Sequence, residues 1–292
     1  MMDARNPESF AERGEFYLCL ARAFLTPLRP EAFAGLREAL ADDLAELGES
    51  LGYTFADDLA DYRRAIGAIA DHAALLRRYS GLFIAPPRSI RINTGSYLDG
   101  AVNGGSVAAM EAAYRACGVE RDPDFHDLSD HLSVQLEFVA LLYFKCAEAI
   151  EGERAPPAMR AGHFLHDYVA RWLPPFIRDL EKEARDGGTL THASAPNPYL
   201  PLARILAAAV AHDAIAAPVS AAEQRAHNAI SKARHDRAVR GVTGEDMALI
   251  ARKLREKGLS IDHLAIAPEL RDEAQGLTRK QPPSPRPGSR YE

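Results

Sequence analysis

Residues 127–150 read DLSDHLSVQLEFVALLYFKCAEAI, and this stretch decides the fold class. Leu132, Leu136, Val139, Ala140 and Tyr143 recur at the three-to-four-residue spacing of one helix face. Phe138, Leu141 and Leu142 widen that face until little of the circumference is left for water. A helix that is apolar on most sides must be surrounded, so it is expected at the centre of a bundle of other helices.

The flanking segments supply such partners. Phe16, Leu20, Ala23 and Phe24 form one stripe, in a helix that Pro27 ends. Pro30 opens a second helix running to about Gly52, and Leu59, Tyr62, Ile66, Ile69, Ala73 and Leu76 mark a third to about Ser80. Ala85 to Gly105 is rich in Pro, Gly and Asn and reads as a long loop, a kind of segment that often carries function. Val107–Cys117 is a short helix stopped by Gly118. Further helices are expected from Pro157 to Ala184, kinked at Pro174-Pro175, and from Asn197 to Ala216. No alternation of period two and no internal repeat interrupts this pattern. The expected fold is an all-α, single-domain helical bundle over residues 1–218.

Beyond Pro218 the composition shifts. Residues 219–280 are expected to form a basic helical extension, in which Thr243-Gly244-Glu245-Asp246 has the form of a capping box and Gly258 that of a stop. Residues 281–292, QPPSPRPGSRYE, are expected to be a disordered tail. The net charge of −6 is unevenly divided: residues 221–292 hold 14 Lys+Arg against 10 Asp+Glu, leaving 21 against 31 for residues 1–220. An acidic body repels nucleic acid and attracts cationic peptides.

Several function classes find no support. Cys19, Cys117 and Cys146 form no CxxC pair, which argues against a disulfide framework and a zinc module. The opening MMDARNPESFAERGEF lacks the basic and apolar regions of a secretory signal, and the apolar run Ile205–Ala217 is interrupted by His212 and Asp213. A cytoplasmic protein is expected. There is no GxSxG, P-loop, HExxH or strand-linked GxGxxG. His163 and His166 share a helix face beside Asp167 but lack a further ligand at matching spacing, so neither metal nor other cofactor is expected. Asp130 and His131 are adjacent on a helix and do not face each other, so they make no ready catalytic dyad. Asp130 suits the first turn of the central helix, where the helix dipole favours negative charge. Alternatives to a non-catalytic role are a small hydrolase using Asp130, His131 or Glu137, and a nucleic-acid-binding or regulatory protein acting through the basic C-terminal segment. Arg252, Lys253, Arg255 and Lys257 alternate there with Glu245, Asp246 and Glu256, the mixture of a solvated helix.

Asp130-His131-Leu132 followed by Leu136-Glu137-Phe138 resembles the PDHL…EL.F signature of the TorD/DmsD/NarJ group of redox-enzyme maturation chaperones. Tyr79-Ser80-Gly81-Leu82-Phe83-Ile84-Ala85-Pro86 is similar to that family's Y..LF.GP segment, and Asn93-Thr94-Gly95-Ser96-Tyr97 to its P..S.Y turn. Phe164 to Phe176, FLHDYVARWLPPF, resembles its HL..W.P.F helix. The order and spacing agree over about Phe16 to Ala216. Ser129 stands where the family has Pro, Asp127 where it has Glu, and Ala85 where it has Gly; Ser129 is still able to cap a helix.

The resemblance implies a chaperone that binds the apo catalytic subunit of a molybdopterin-containing oxidoreductase and its twin-arginine leader. Such a chaperone assists insertion of the molybdenum cofactor and delays export until loading is complete. It implies a client-binding set at Asp130, His131, Leu132, Glu137, Phe83, Pro86, Ser96, Tyr97, His166 and Trp172. Asp130 and His131 are then expected at the rim of a groove near Tyr97 and the Phe83–Pro86 loop, with Asp130 pairing with a leader arginine. A monomer or a homodimer is implied, the long loop being a possible hinge for helix exchange.

Overall fold

The computed structural model describes residues 7–85, 90–102, 104–119, 128–149, 155–185 and 197–215. Pro86, Asp127, the extension 219–280 with its capping box, and the tail 281–292 lie outside the described residues. What is described is helical throughout, with no strand, as the apolar periodicity requires.

Helix α8 (Leu132–Glu148) is the central element. Leu132, Leu136, Phe138, Val139, Leu142, Tyr143 and Cys146 are all buried, covering most of its circumference. α1 (Pro7–Ala23) lies along it and buries the stripe Phe16, Leu20, Ala23, with Phe24 following. The two helices approach closely at Gly14, where a Cβ would stand 2.6 Å from the Phe144 ring.

The next expected helix is in fact two, α2 (Pro30–Glu38) and α3 (Leu40–Leu51), ended by Gly52 at φ 72°. Leu36 and Leu40 keep the helical stripe across the break, which is why the sequence reads as continuous. The Leu36 carbonyl, which an unbroken helix offers to Leu40, accepts the Tyr62 hydroxyl at 2.6 Å. The third expected helix is also two, α4 (Ala56–Gly67) and α5 (His72–Phe83). Asp71 caps α5 by accepting from the Ala74 amide at 2.7 Å. That new start resets the phase, so Leu75, Tyr79 and Leu82 are buried and Ala73 is exposed.

The expected long loop contains a short helix, α6 (Thr94–Leu98), before α7 (Gly105–Ala116). α7 is closed by Gly118 at φ 71°. After α8 come α9 (Ala155–Phe164), a π-turn (Leu165–Val169) and α10 (Ala170–Arg185). The expected irregularity at Pro174-Pro175 thus lies one turn earlier, where the Ala170 amide reaches back to Leu165. α11 (Tyr199–Asp213) closes the described body against α10 and α4. No helix among the described residues is long and apolar enough to cross a membrane.

Candidate functional site

The start of α8 differs from its expected form, and the difference changes the role of Asp130. His131, at φ −62° and ψ 141°, is the N-cap, and its Nδ1 accepts from the Ser133 amide at 3.2 Å. Asp130 therefore precedes the helix instead of lying in its first turn. Ser129 does not cap it either: its hydroxyl donates to Glu111 at 2.7 Å.

The turn is stitched to the segment before α6. An isolated antiparallel bridge pairs Asn93 with His131. The Leu132 amide donates to the Ile92 carbonyl at 3.0 Å, and the Thr94 amide to the Asp130 carbonyl at 3.2 Å. The Asp130 carboxylate accepts from the Gly95 amide at 2.8 Å and from Asn93 Nδ2 at 3.2 Å. A Cβ at Gly95 would stand 3.2 Å from that carboxylate and 2.8 Å from the Ala101 carbonyl, so glycine admits this close approach. Asp130 is 2 % exposed and His131 3 %. A carboxylate so buried is tolerable only with its acceptors satisfied, as they are here.

From this turn a chain of contacts runs through the core. Gln135 Nε2 donates to the Asp130 carbonyl at 2.7 Å, and Gln135 Oε1 accepts from Trp172 Nε1 at 3.4 Å. Trp172, fully buried, stacks on Tyr97 with ring centroids 5.4 Å apart and planes 17° apart. The Tyr97 hydroxyl donates to Asp179 Oδ2 at 2.8 Å. Phe176 meets both Trp172 and Tyr97, and stacks on Phe83 at 6.2 Å. Tyr97 is half-buried, and burial pushes its hydroxyl well above the ordinary tyrosine range, with Asp179 acting the same way and Arg91 opposing.

Thus Asp130, His131, Leu132, Phe83, Tyr97 and Trp172 do come together, but as a closed junction. Where a groove rim is expected, Asp130, His131, Leu132, Phe83 and Trp172 are buried, and Gln135, Tyr97 and Phe176 link them. Tyr97 and Ser96 keep partial access to solvent. Glu137 stands elsewhere. Two residues after Gln135 it projects from the opposite side of α8, exposed; partial burial raises its carboxyl pKa and Arg22 of α1 lowers it. His166 sits on the π-turn and bonds to its neighbour Asp167 at 2.9 Å. Among the described residues no three His, Cys, Asp or Glu side chains are grouped to hold a metal.

Sequence reading missed Asn93, Gly95 and Gln135 as partners of Asp130, and Asp179 as the partner of Tyr97. Gln135 had a signal, being an amide within an apolar stripe; Asp179 had none. It also passed over a second buried carboxylate, Asp213, at the end of α11. Asp213 is bound by Arg13 Nε at 3.3 Å, Tyr17 at 3.0 Å, His212 Nδ1 at 3.0 Å and the Tyr53 hydroxyl.

Residues 33–178, half of the chain, match the family described as nitrate reductase delta subunit. The chaperone protein TorD of Photobacterium profundum is 23 % identical over 185 residues, covering 60 % of this chain and 83 % of its own length. A crystal structure of a protein described as a redox enzyme maturation protein, from Archaeoglobus fulgidus, covers 67 % of this chain and 91 % of its own at 19 % identity, with a TM-score of 0.39. The matched stretch contains the Asp130–His131 turn, Tyr97 and Trp172, and the chain belongs to the nitrate reductase delta subunit family, the NarJ/TorD group of redox-enzyme maturation chaperones.

Proposed function

We propose that this chaperone binds the apo catalytic subunit of a molybdopterin-containing oxidoreductase together with its twin-arginine leader, in the cytoplasm and without catalysis of its own. It would hold the client open for the molybdenum cofactor and delay export until loading is complete. The observation that carries this reading is the family match over residues 33–178, which covers the segment contributing every member of the implied client-binding set. The acidic character of residues 1–220, with 21 Lys+Arg against 31 Asp+Glu, suits a cationic leader.

The two kinds of residue in that set take different parts. Asp130, His131, Leu132, Phe83 and Trp172 fix the junction between α5, α6, α8 and α10. Ser96, Tyr97, His166 and Glu137 reach solvent and are available to a client. Pro86 belongs to the proposed set by its place in the sequence. The domain division at about residue 218 belongs to the same proposal, residues 1–218 being the chaperone body. Monomeric and dimeric forms are both compatible with it.

The test is affinity purification of the full chain from its native cell, followed by identification of co-purifying proteins. A molybdoenzyme catalytic subunit, retained better in its apo form than when loaded, is the expected result. Capture of the loaded enzyme alone, or of no molybdoenzyme, would refute the reading.

A further inference from the structure

We infer that Tyr97 and Asp179 form a guanidinium subsite that reads an arginine of the bound leader; the inference rests on the leader-binding reading above. The residue that the sequence nominates for this task, Asp130, is 2 % exposed and already accepts from Gly95 and Asn93. An incoming arginine would have to break both bonds and enter a closed junction, which opposes binding there.

Asp179 is placed differently. It lies on α10 and is half-buried. Oδ2 accepts from the Tyr97 hydroxyl at 2.8 Å, and no hydrogen bond to Oδ1 is found among the described residues. The Tyr97 ring is half-buried as well, with one face stacked on Trp172 at 5.4 Å and an edge toward Phe176 at 6.4 Å. Its position is therefore fixed by these two rings, while the side chain keeps partial access to solvent. A fixed aromatic surface beside a carboxylate with a free oxygen suits a planar cation. The guanidinium would lie against the ring and donate to Oδ1, combining a cation–π contact with a charge-assisted hydrogen bond. An ammonium, being a compact and strongly hydrated charge, gains less from the ring face, so the subsite favours arginine over lysine.

Arg91, exposed on the segment before α6, opposes the upward shift of the Tyr97 hydroxyl, first through a backbone hydrogen bond and then through its charge.

The experiment is calorimetric titration of the full chain with a synthetic twin-arginine leader peptide and with the same peptide carrying Lys-Lys. Fluorescence offers a second readout, since Trp172 is the chain's one tryptophan and stacks on Tyr97. Wild type is expected to bind the Arg-Arg peptide about tenfold more tightly than the Lys-Lys peptide, with a change in Trp172 emission. Asp179→Asn should lose about tenfold for the Arg-Arg peptide and most of the preference. Tyr97→Phe, which keeps the ring and releases Asp179, should retain both affinity and preference. If wild type and Asp179→Asn bind the Arg-Arg peptide equally, the subsite is wrong and the leader-binding reading stands. If wild type binds neither peptide, both are overturned. Asp179 is a half-buried surface residue, so its variant should fold, and the test does not depend on Tyr97 variants.

Discussion

Asp130 and Asp213 are both buried carboxylates, yet they are held by different chemistry. Asp130 is satisfied by a backbone amide and a neutral side-chain amide from the segment before α6. Asp213, 0 % exposed, is held by a buried arginine, a histidine and two tyrosines. Three of these partners, Arg13, Tyr17 and Tyr53, come from α1 and from the turn after α3. The first arrangement fixes a local junction, and the second ties the end of α11 to the beginning of the chain. A buried charge with a charged partner is the more costly to orphan, so the two sites should separate cleanly under mutation.

The largest effect is expected from Asp213→Ala. It strands Arg13, whose side chain is 7 % exposed, and should cost about 3–5 kcal/mol in urea denaturation. A loss below about 1 kcal/mol would show that water replaces the carboxylate. Asp130→Asn comes next. It turns one acceptor into a donor facing either Gly95 N–H or Asn93 Nδ2, and should cost about 1–3 kcal/mol. Were the two losses equal, the distinction between charged and neutral partners would fall.

The tyrosines sharpen the comparison. Tyr53→Phe removes one donor to Asp213 and should cost about 1 kcal/mol. Tyr143 stacks on Tyr17 at 5.8 Å, but its buried hydroxyl has no hydrogen-bond partner among the described residues. Tyr143→Phe should therefore be neutral or slightly stabilising, and a loss as large as that of Tyr53→Phe would mean that its hydroxyl serves the cluster after all.

The smallest effect concerns Cys146, buried on α8, whose thiol is pushed by burial from 9.0 up to about 11. A pKa raised in the folded state stabilises below the unfolded value and is lost as pH rises through the folded one, so this contribution should fade above about pH 9. At pH 8 a thiol reagent should label Cys146 only as fast as the protein opens, and rapid labelling of native protein would contradict its burial.

The bundle was legible because apolar spacing marks buried faces. α8 shows this best, since residues spaced around most of its circumference are buried. Helix breaks were less legible. Between α4 and α5 the apolar stripe carries on through Ile69, and the cap at Asp71 is a single polar residue within it. The motif at Asp130 identified a real junction, but a motif records which residue types occur and not whether they face water. Asp130 proved to be buried because Gly95 allows the chain to close over it. Asp179 and Tyr97 lie 82 residues apart, and Asp213 and Arg13 lie 200 apart. No local pattern announces either pair.

The central claim is that Asp130 builds the junction while client recognition takes place on the solvent-facing residues beside it. Calorimetric titration of a twin-arginine leader into wild type and Asp130→Asn, with a thermal melt of each, tests this directly. The expected result is a lower melting temperature for Asp130→Asn with leader affinity retained at a temperature where both proteins are folded. An unchanged melting temperature with affinity lost by tenfold or more, on the order of 1.4 kcal/mol, would contradict it and assign the Asp130 carboxylate to the leader.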